Sequence, residues 1–527
     1  MEGLEQRKKI VIMLAIMSAM LFAALNQTIV GTALPKIIAD LGGMEYYGWV
    51  FTIYILTSSV TSILVGKLSD IYGRKVFILV GIGIFTVGSF LSGLSFSIIE
   101  LIVYRAIQGF GAGMIMSTSF SAIGDLFVPR ERGRWQGLMS SVFGVASVFG
   151  PTLGGWIVDN GDWHWIFWVF LPFGIVAFLM ILFLFPKMEK KPSQPIDYFG
   201  SILITLTIVP ILLTFTWGGS KYEWSSLPIV LLITASVCSL LLFIAVERRV
   251  VNPVLPLQLF KIKEFTIANT VGLFLGFGMF GTMIYLPFFI QGVLGESASK
   301  SGLMIMPLTI SMVIASAIIG SRITVTGSYK RYALVGFFIM GVGLVFMSFM
   351  TEHTSTWFLI INIIIVGFGL GMSMPVLTLV VQNAVNHSML GVATASVQLF
   401  RQMGGTIGVG ILGTVMNRVM INKMDSYGST LAGDYGETGE RLLVELQNPQ
   451  LLISGDALVQ IKAELPSELY TLFESLAAYL RSAMGSGLSI VYIITAAVVI
   501  SGLLLTFFLE EKPLRETQSI AKEEKIS

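Results

Sequence analysis

The side chains best able to do chemistry in this chain sit inside stretches that are otherwise apolar, so each needs a bonding partner to account for it. Asn26 and Gln27 interrupt residues 10–33, and Arg105 and Gln108 interrupt residues 99–123. An amide exchanges hydrogen bonds but cannot change charge, whereas a guanidinium among apolar residues demands an acceptor. Counted along helices at about 1.5 Å per residue, Arg105 lies about 9 Å below one bilayer boundary and residue 26 about 24 Å above the other, so the two share a depth. Arg105 either snorkels outward as an anchor or bonds within an interior cavity and takes part in coupling, and the sequence leaves both open. A second cluster, Gly66-Lys-Leu-Ser-Asp70-Ile-Tyr-Gly73-Arg74-Lys75, lies between two apolar runs. Its glycines allow a tight turn and close helix approach, and Asp70 near a helix start can pair with cations, for which Arg130, Arg132 and Arg134 are candidates. Enzyme chemistry finds no support. His164, His353 and His387 are dispersed, and there is no HExxH, nucleophile elbow or phosphate-binding loop.

The elements that must position these groups follow from composition. With 527 residues, 54% hydrophobic and 12% charged, and a mean hydropathy of +0.83, the chain reads as a polytopic membrane protein and not as a set of soluble domains. A nucleic-acid binder, a disordered scaffold and a disulfide framework are excluded, and the net charge of +2 attracts no particular partner. The lone Cys238 reads as a buried small hydrophobe. Apolar runs long enough to span a bilayer occur at 10–33, 47–65, 76–95, 99–123, 135–158, 163–185, 199–218, 227–246, 265–292, 302–320, 332–350, 357–381, 396–420 and 488–509. These fourteen runs are apolar all round, which predicts helices and excludes a barrel. Placing the N-terminus inside assigns about 23 basic residues to cytoplasmic segments and about 7 to external ones, so both termini are expected in the cytoplasm. Residues 421–487 then form an external segment, where Leu469, Leu472, Phe473, Leu476 and Leu480 predict an amphipathic helix on the outer face after Pro466-Ser467.

An internal repeat organises the spans. GFGAGMIM from Gly109 returns as GFGLGMSM from Gly367, Leu34-Pro35 returns as Leu286-Pro287, and Gly66 and Gly73 return as Gly320 and Gly327. Spans 1–6 and 9–14 are therefore expected to be six-helix bundles of equal orientation, with spans 7 and 8 inserted and packed peripherally. The corresponding division is 1–186, 187–264 and 265–527. Two bundles about a central cavity suggest alternating access.

The 66–75 loop resembles the signature loop of the major facilitator superfamily, with Ile71 where the family usually has a basic residue. Gly137, Gly150, Pro151, Gly154 and Gly155 in span 5 resemble the motif of antiporters in that superfamily, with Ala146 replacing one glycine, although close packing alone accounts for the spacing nearly as well. Arg105 with Gln108 and Gly109 resembles another family signature. Leu25-Asn26-Gln27-Thr28-Ile29-Val30-Gly31-Thr32-Ala33-Leu34-Pro35 is similar to the first-span signature of the fourteen-span drug:proton antiporters, whose second position is normally Asp. Here it is Asn26, either an engineered imitation of the protonated acid or a natural residue in a member that couples differently. The resemblance extends over nearly the whole chain, to Glu511-Lys-Pro-Leu-Arg515.

The resemblance implies an all-α major facilitator fold, fourteen helices as two six-helix bundles plus two inserted helices. It implies a secondary active transporter in a bacterial cell membrane, driven by a proton gradient without a cofactor, monomeric, and exporting drug-like compounds with antibiotic resistance as the outcome. Asn26 and Arg105 would serve coupling, with Glu100 the nearest alternative carboxylate, and Gly66, Asp70, Gly73, Arg74 and Lys75 would form a conformational latch. Gln27, Tyr54, Gln108, Phe143, Tyr285 and Phe289 are cavity candidates, although aromatics such as Trp49, Tyr54 and Tyr104 also serve packing or interfacial anchoring. Since no carboxylate lies near a span centre, lipophilic neutral or monovalent compounds are the expected substrates. An exporter of lipids or lipid-like molecules is the alternative, and a non-transporting receptor a further one.

Overall fold

The computed structural model describes residues 5–41, 46–186, 197–219, 221–296, 298–432, 461, 463, 465–466 and 470–514. Fourteen helices in it are long and apolar enough to cross a membrane. They are α1 (Gln6–Leu41), α2 (Tyr47–Tyr72), α3 (Arg74–Ser92), α4 (Ile98–Leu126), α5 (Pro129–Asn160), α6 (Trp165–Leu184), α7 (Tyr198–Trp217) and α8 (Leu227–Glu247). The remainder are α9 (Lys263–Pro287), α10 (Ala298–Thr326), α11 (Lys330–Met347), α12 (Thr356–Ala384), α13 (Leu390–Ala432) and α14 (Tyr470–Phe507). With an even number among the described residues, the start of α1 and the end of α14 lie on one face, called here the termini face. Helices are what such runs must form, because an apolar medium offers no partner to an unbonded backbone group. Their starts are written locally: Ser97 and Ser355 accept from the backbone N–H groups of Glu100 and Phe358, each at 3.3 Å, and Pro129 opens α5.

The repeated glycines make repeated contacts. On α4, Gly109 lies against the Tyr54 carbonyl, Gly113 against the Ser58 carbonyl, and Gly111 against α3 at Gly81 and Phe85. On α12, Gly367 lies against the Leu308 carbonyl, Gly371 against the Met312 carbonyl, and Gly369 against α11 at Gly336 and Met340. Each glycine thus removes a side chain where two backbones touch, and the same three approaches occur in both halves of the chain.

Three features differ from the sequence expectations. α7 is not peripheral: Gly410 of α13 packs on the Phe215 backbone, and Trp217 stacks edge-on against Trp49 of α2 at 5.4 Å. α8 is the outlying helix, only 17% buried over its apolar window. Cys238, expected to be buried, is exposed on it. An outward apolar face in lipid and an inward one in protein have the same composition, so hydropathy does not separate them. Lastly, the predicted outer-face helix is the first part of α14, where Leu472, Phe473, Leu476 and Leu480 are buried on one continuous 38-residue helix. Its apolar stripe runs on directly into the span and so packs in line with it. Ser467, Leu469 and Arg515 lie outside the described residues.

Candidate functional site

At the termini face, Gly73 adopts φ 92°, the turn that reverses the chain between α2 and α3 within one residue. The turn delivers Arg74, 2% exposed, to two carboxylates, Asp70 of α2 and Asp125 of α4, the latter with an Nε to Oδ2 distance of 3.0 Å. Lys75 fastens α3 to the end of α6 through the Leu182 and Phe185 carbonyls at 2.7 and 2.6 Å. Asp70 also reaches across to the second half of the chain. Its carboxylate accepts from the Gly391 N–H at 3.0 and 3.1 Å and from the Val392 N–H at 3.2 Å, at the start of α13. Unsatisfied amides at a helix N-terminus are an anion site, and here the anion is a side chain. A Cβ on Gly66 would collide with Ala395 and with the Gly391 carbonyl, so α2 and α13 touch backbone to backbone.

The expected partners of Asp70 are therefore corrected. Arg132 donates to the Phe127 and Gly124 carbonyls at 3.1 and 2.9 Å and binds its own corner of the chain; the side chain of Arg130 lies outside the described residues. Ile71 is buried. Asp125 and Gly391 escaped the sequence reading because one acid at a helix end and one backbone amide carry no distinguishing pattern.

Further contacts between the halves lie on the same side of the molecule. Gln136 Nε2 donates to Gln382 Oε1 at 3.2 Å, Gln382 Nε2 donates to the Phe120 carbonyl at 3.2 Å, and Ser316 Oγ donates to the Gly137 carbonyl at 3.0 Å. Gly137 meets α10 backbone to backbone, while Gly150 lies against Thr28, whose hydroxyl donates to the Ala146 carbonyl at 2.9 Å. α5 thus touches α10 near the termini face and α1 beyond it. Gly154 is buried, a Cβ on Gly155 would meet open space, and the side chain of Pro151 lies outside the described residues.

Asn26 and Arg105, placed at one depth by counting residues, are in contact. Arg105 Nη1 donates to Asn26 Oδ1 at 3.1 Å and to Gln108 Oε1 at 2.6 Å, and Nε donates to the Val50 carbonyl at 3.4 Å. The guanidinium lies 4.2 Å from the Tyr54 ring centroid, a cation–π contact. Asn26 Nδ2 donates to Ser89 Oγ at 3.2 Å, and Ser89 donates onward to the Phe167 carbonyl at 2.7 Å. Asn26, Arg105 and Gln108 are all fully buried. Every acceptor around Arg105 is neutral, so the snorkelling alternative is replaced by an interior network. Glu100 is instead occupied at the start of α4, accepting from the Phe96 N–H at 2.9 Å.

Next to this network lies a cavity of about 350 Å³ between α1, α2, α7, α9 and α13. Gln27, Thr52, Phe215, Phe280, Tyr285 and Gln402 are among its walls, and no charged residue lines it. Ser59 donates to Gln402 Oε1 at 2.5 Å on the side toward the termini face. Of the six cavity candidates, Gln27 and Tyr285 line it. Tyr54 and Gln108 belong to the Arg105 network, Phe143 stacks on Phe120 with centroids 6.4 Å apart, and Phe289 is buried in a π-helical turn after Pro287. The α13 wall, Gln402, Gly405, Thr406, Val409, Gly413 and Asn417, went unread, although its small and polar residues recur at helical spacing. The wall supplied by α7 left no such signal.

The family model described as Major Facilitator Superfamily matches residues 16–409. The multidrug transporter protein MdtP of Bacillus subtilis is 36% identical, the match covering 99% of this chain and 96% of that protein. Multidrug resistance protein 3 of the same organism is 30% identical over 97% of each. Among solved structures, that of the proton:xylose symporter XylE bound to 6-bromo-6-deoxy-D-glucose matches with a TM-score of 0.60 at 13% identity, covering 97% of this chain and 98% of that one. The human organic anion transporter MFSD10 (TETRAN) matches with a TM-score of 0.59 at 14% identity over 93% and 99%.

Proposed function

Since the chain belongs to the major facilitator superfamily and is a multi-pass membrane transporter, we propose that it exports lipophilic, neutral or monovalent drug-like molecules by alternating access. The observation that carries this reading is the uncharged, partly aromatic cavity between the two halves, with the contacts that join those halves on its termini side. Such walls hold varied apolar bodies through van der Waals and aromatic contact, with amides and hydroxyls supplying adaptable hydrogen bonds. The relatives' names, multidrug transporter and multidrug resistance protein, support the same substrate class.

The working parts of the proposal are two bundles, 1–186 and 265–527, with 187–264 inserted between them. Gly66, Asp70, Gly73, Arg74 and Lys75 latch the termini face, and α5, which carries the motif Gly137, Gly150, Pro151, Gly154 and Gly155, is a bearing that packs closely on α10 at Gly137 and on α1 at Gly150. Both termini lie in the cytoplasm of a bacterial cell, the transporter works as a monomer without a cofactor, and a proton gradient is the energy source. Asn26 occupies the coupling position beside Arg105. Being neutral at every pH, it holds the network permanently in the form a protonated acid would give, so this chain binds substrate without exchanging a proton there. Uptake of a lipophilic dye into inverted vesicles with an imposed pH gradient, for this chain and for Asn26→Asp, tests the reading. Gradient-driven uptake is expected to appear or to rise in Asn26→Asp. Absence of dye binding and uptake from both would overturn the export reading, and vigorous gradient-driven uptake by the Asn26 protein would move coupling elsewhere.

A further inference from the structure

Four buried arginines lie in or at the ends of the spans, and the structure treats them differently: Arg132 donates to two backbone carbonyls of its own corner. Arg74 has two carboxylates, and Arg105 has three neutral acceptors and a tyrosine face. Arg401, on α13, has far less. Its one side-chain hydrogen bond among the described residues is from Nη2 to Gln398 Oε1 at 2.6 Å, and no ion pair to it occurs among them. Gln398 Nε2 is itself buried without a partner. Arg401 as a residue is 7% exposed, and its Nε and Nη1, which have no partner among the described residues, keep a little contact with open space, whereas on Arg105 it is Nη2 that is sealed without a partner. A buried cation with donors left over is costly unless something supplies the missing acceptor charge.

Its position says where that charge comes from. Gly405 and Gln402 line the cavity, and Arg401 and Gln398 lie four residues before them on the same helix, about 6 Å nearer the termini face. Arg401 therefore sits under the cavity floor, between the cavity and the place where Asp70 grips the start of α13. Side chains on a helix lean toward its N-terminus, so in this closed arrangement Arg401 is drawn down onto Gln398. In the alternating-access reading, separation of α2 from α13 at the termini face would uncover this stretch of α13.

We propose that Arg401 is an anion-recognition residue for substrate, and that the preferred cargo is a lipophilic organic monoanion, its carboxylate or phenolate on the guanidinium and its apolar body against Phe215, Phe280 and Ile284. This rests on the export reading and sharpens its substrate class. Loading pairs the anion with Arg401 when the termini face is open. Closure returns the guanidinium to Gln398 and leaves the anion in an uncharged chamber from which it escapes outward.

The test uses the full-length transporter in detergent and a matched pair of probes, 1-pyrenebutyrate and 1-pyrenebutyramide, with binding read from pyrene quenching of tryptophan fluorescence. The unmodified protein is expected to bind the acid about tenfold or more tighter than the amide. Arg401→Gln is expected to abolish that preference by weakening the acid, Arg401→Lys to keep part of it, and the amide serves in each case as the check on folding. Gln398→Glu, which gives Arg401 an internal carboxylate, is expected to weaken the acid by a similar factor and provides the answer if Arg401→Gln does not fold. Equal loss for both probes, or an unmodified protein that binds the amide but does not prefer the acid, would overturn the inference and leave export of neutral compounds standing. Binding of neither probe by the unmodified protein would count against both.

Discussion

Asp70→Asn removes the charge from the contact that joins α2 to α13. The wild-type carboxylate accepts from two backbone N–H groups at the start of α13, at 3.0 to 3.2 Å, and is nearly buried. A hydrogen bond to a charged group contributes about 1.5–3 kcal/mol, and an anion at a helix N-terminus contributes about 0.3–1 kcal/mol more. Asn keeps one neutral acceptor and turns an NH₂ toward the second donor, so the cross-contact weakens by about 2–4 kcal/mol. Arg74 retains Asp125, and its pairing with position 70 lies within the first half of the chain, so rigid-body separation of the halves would leave it intact. The loss therefore falls on the closed state alone, and the closed-to-open ratio should drop by about 30-fold or more. Spin labels at Val76 and Val325, both exposed near the termini face on α3 and α10, report the separation by pulsed EPR once Cys238 is replaced by Ser. A new long-distance population is expected in Asp70→Asn. A distance distribution identical to that of the parent, from protein that still binds a probe, would show that Asp70 does not hold the face closed.

The same labels test Gly391→Ala, whose Cβ would sit 2.8 Å from Asp70 Oδ1 and against the Gly66 carbonyl. Overpacking of about 1–3 kcal/mol should open the face without any change of charge, and an unaltered distribution would mean the helices separate there at no cost. Phe280→Ala removes an aromatic wall of the cavity and should weaken binding of a neutral aromatic probe by about 2–10-fold; unchanged affinity would place the probe elsewhere. At the termini face the hydrogen bond from Lys263 holds the exposed Glu510 carboxyl below its ordinary range. A depressed folded-state value stabilises above the unfolded-state value, and the benefit is lost as pH falls through the folded one. The difference in Tm between the parent and Lys263→Ala should therefore be small at neutral pH and shrink further as pH drops below about 4. A difference that grows on acidification would contradict that sign.

How much of this was legible in the sequence depended on whether a group's role is carried by its own chemistry or by its neighbours. The spans and the Gly109 and Gly367 repeats are properties of residue type and period, and they appear where counting placed them. Asn26 meets Arg105 because two rigid helices of known rise convert sequence position into depth. The failures share a physical cause. Lipid and protein interior are equivalent apolar solvents, so nothing in the composition of α7 and α8 foretold that one would wall a cavity while the other turned Cys238 outward. The acceptor role of Asp70 was readable, but its partners at Gly391 and Val392 are backbone amides that any residue except proline could supply. Arg401 falls within the apolar run 396–420, but its small number of acceptors becomes visible only when its neighbours are assembled around it. The residues to which the proposals assign substrate recognition and gating are thus those whose bonding is least local. A site formed between two halves of a molecule can be inferred from sequence as far as its individual donors and charges, and the structure is needed to show which of them remain unsatisfied.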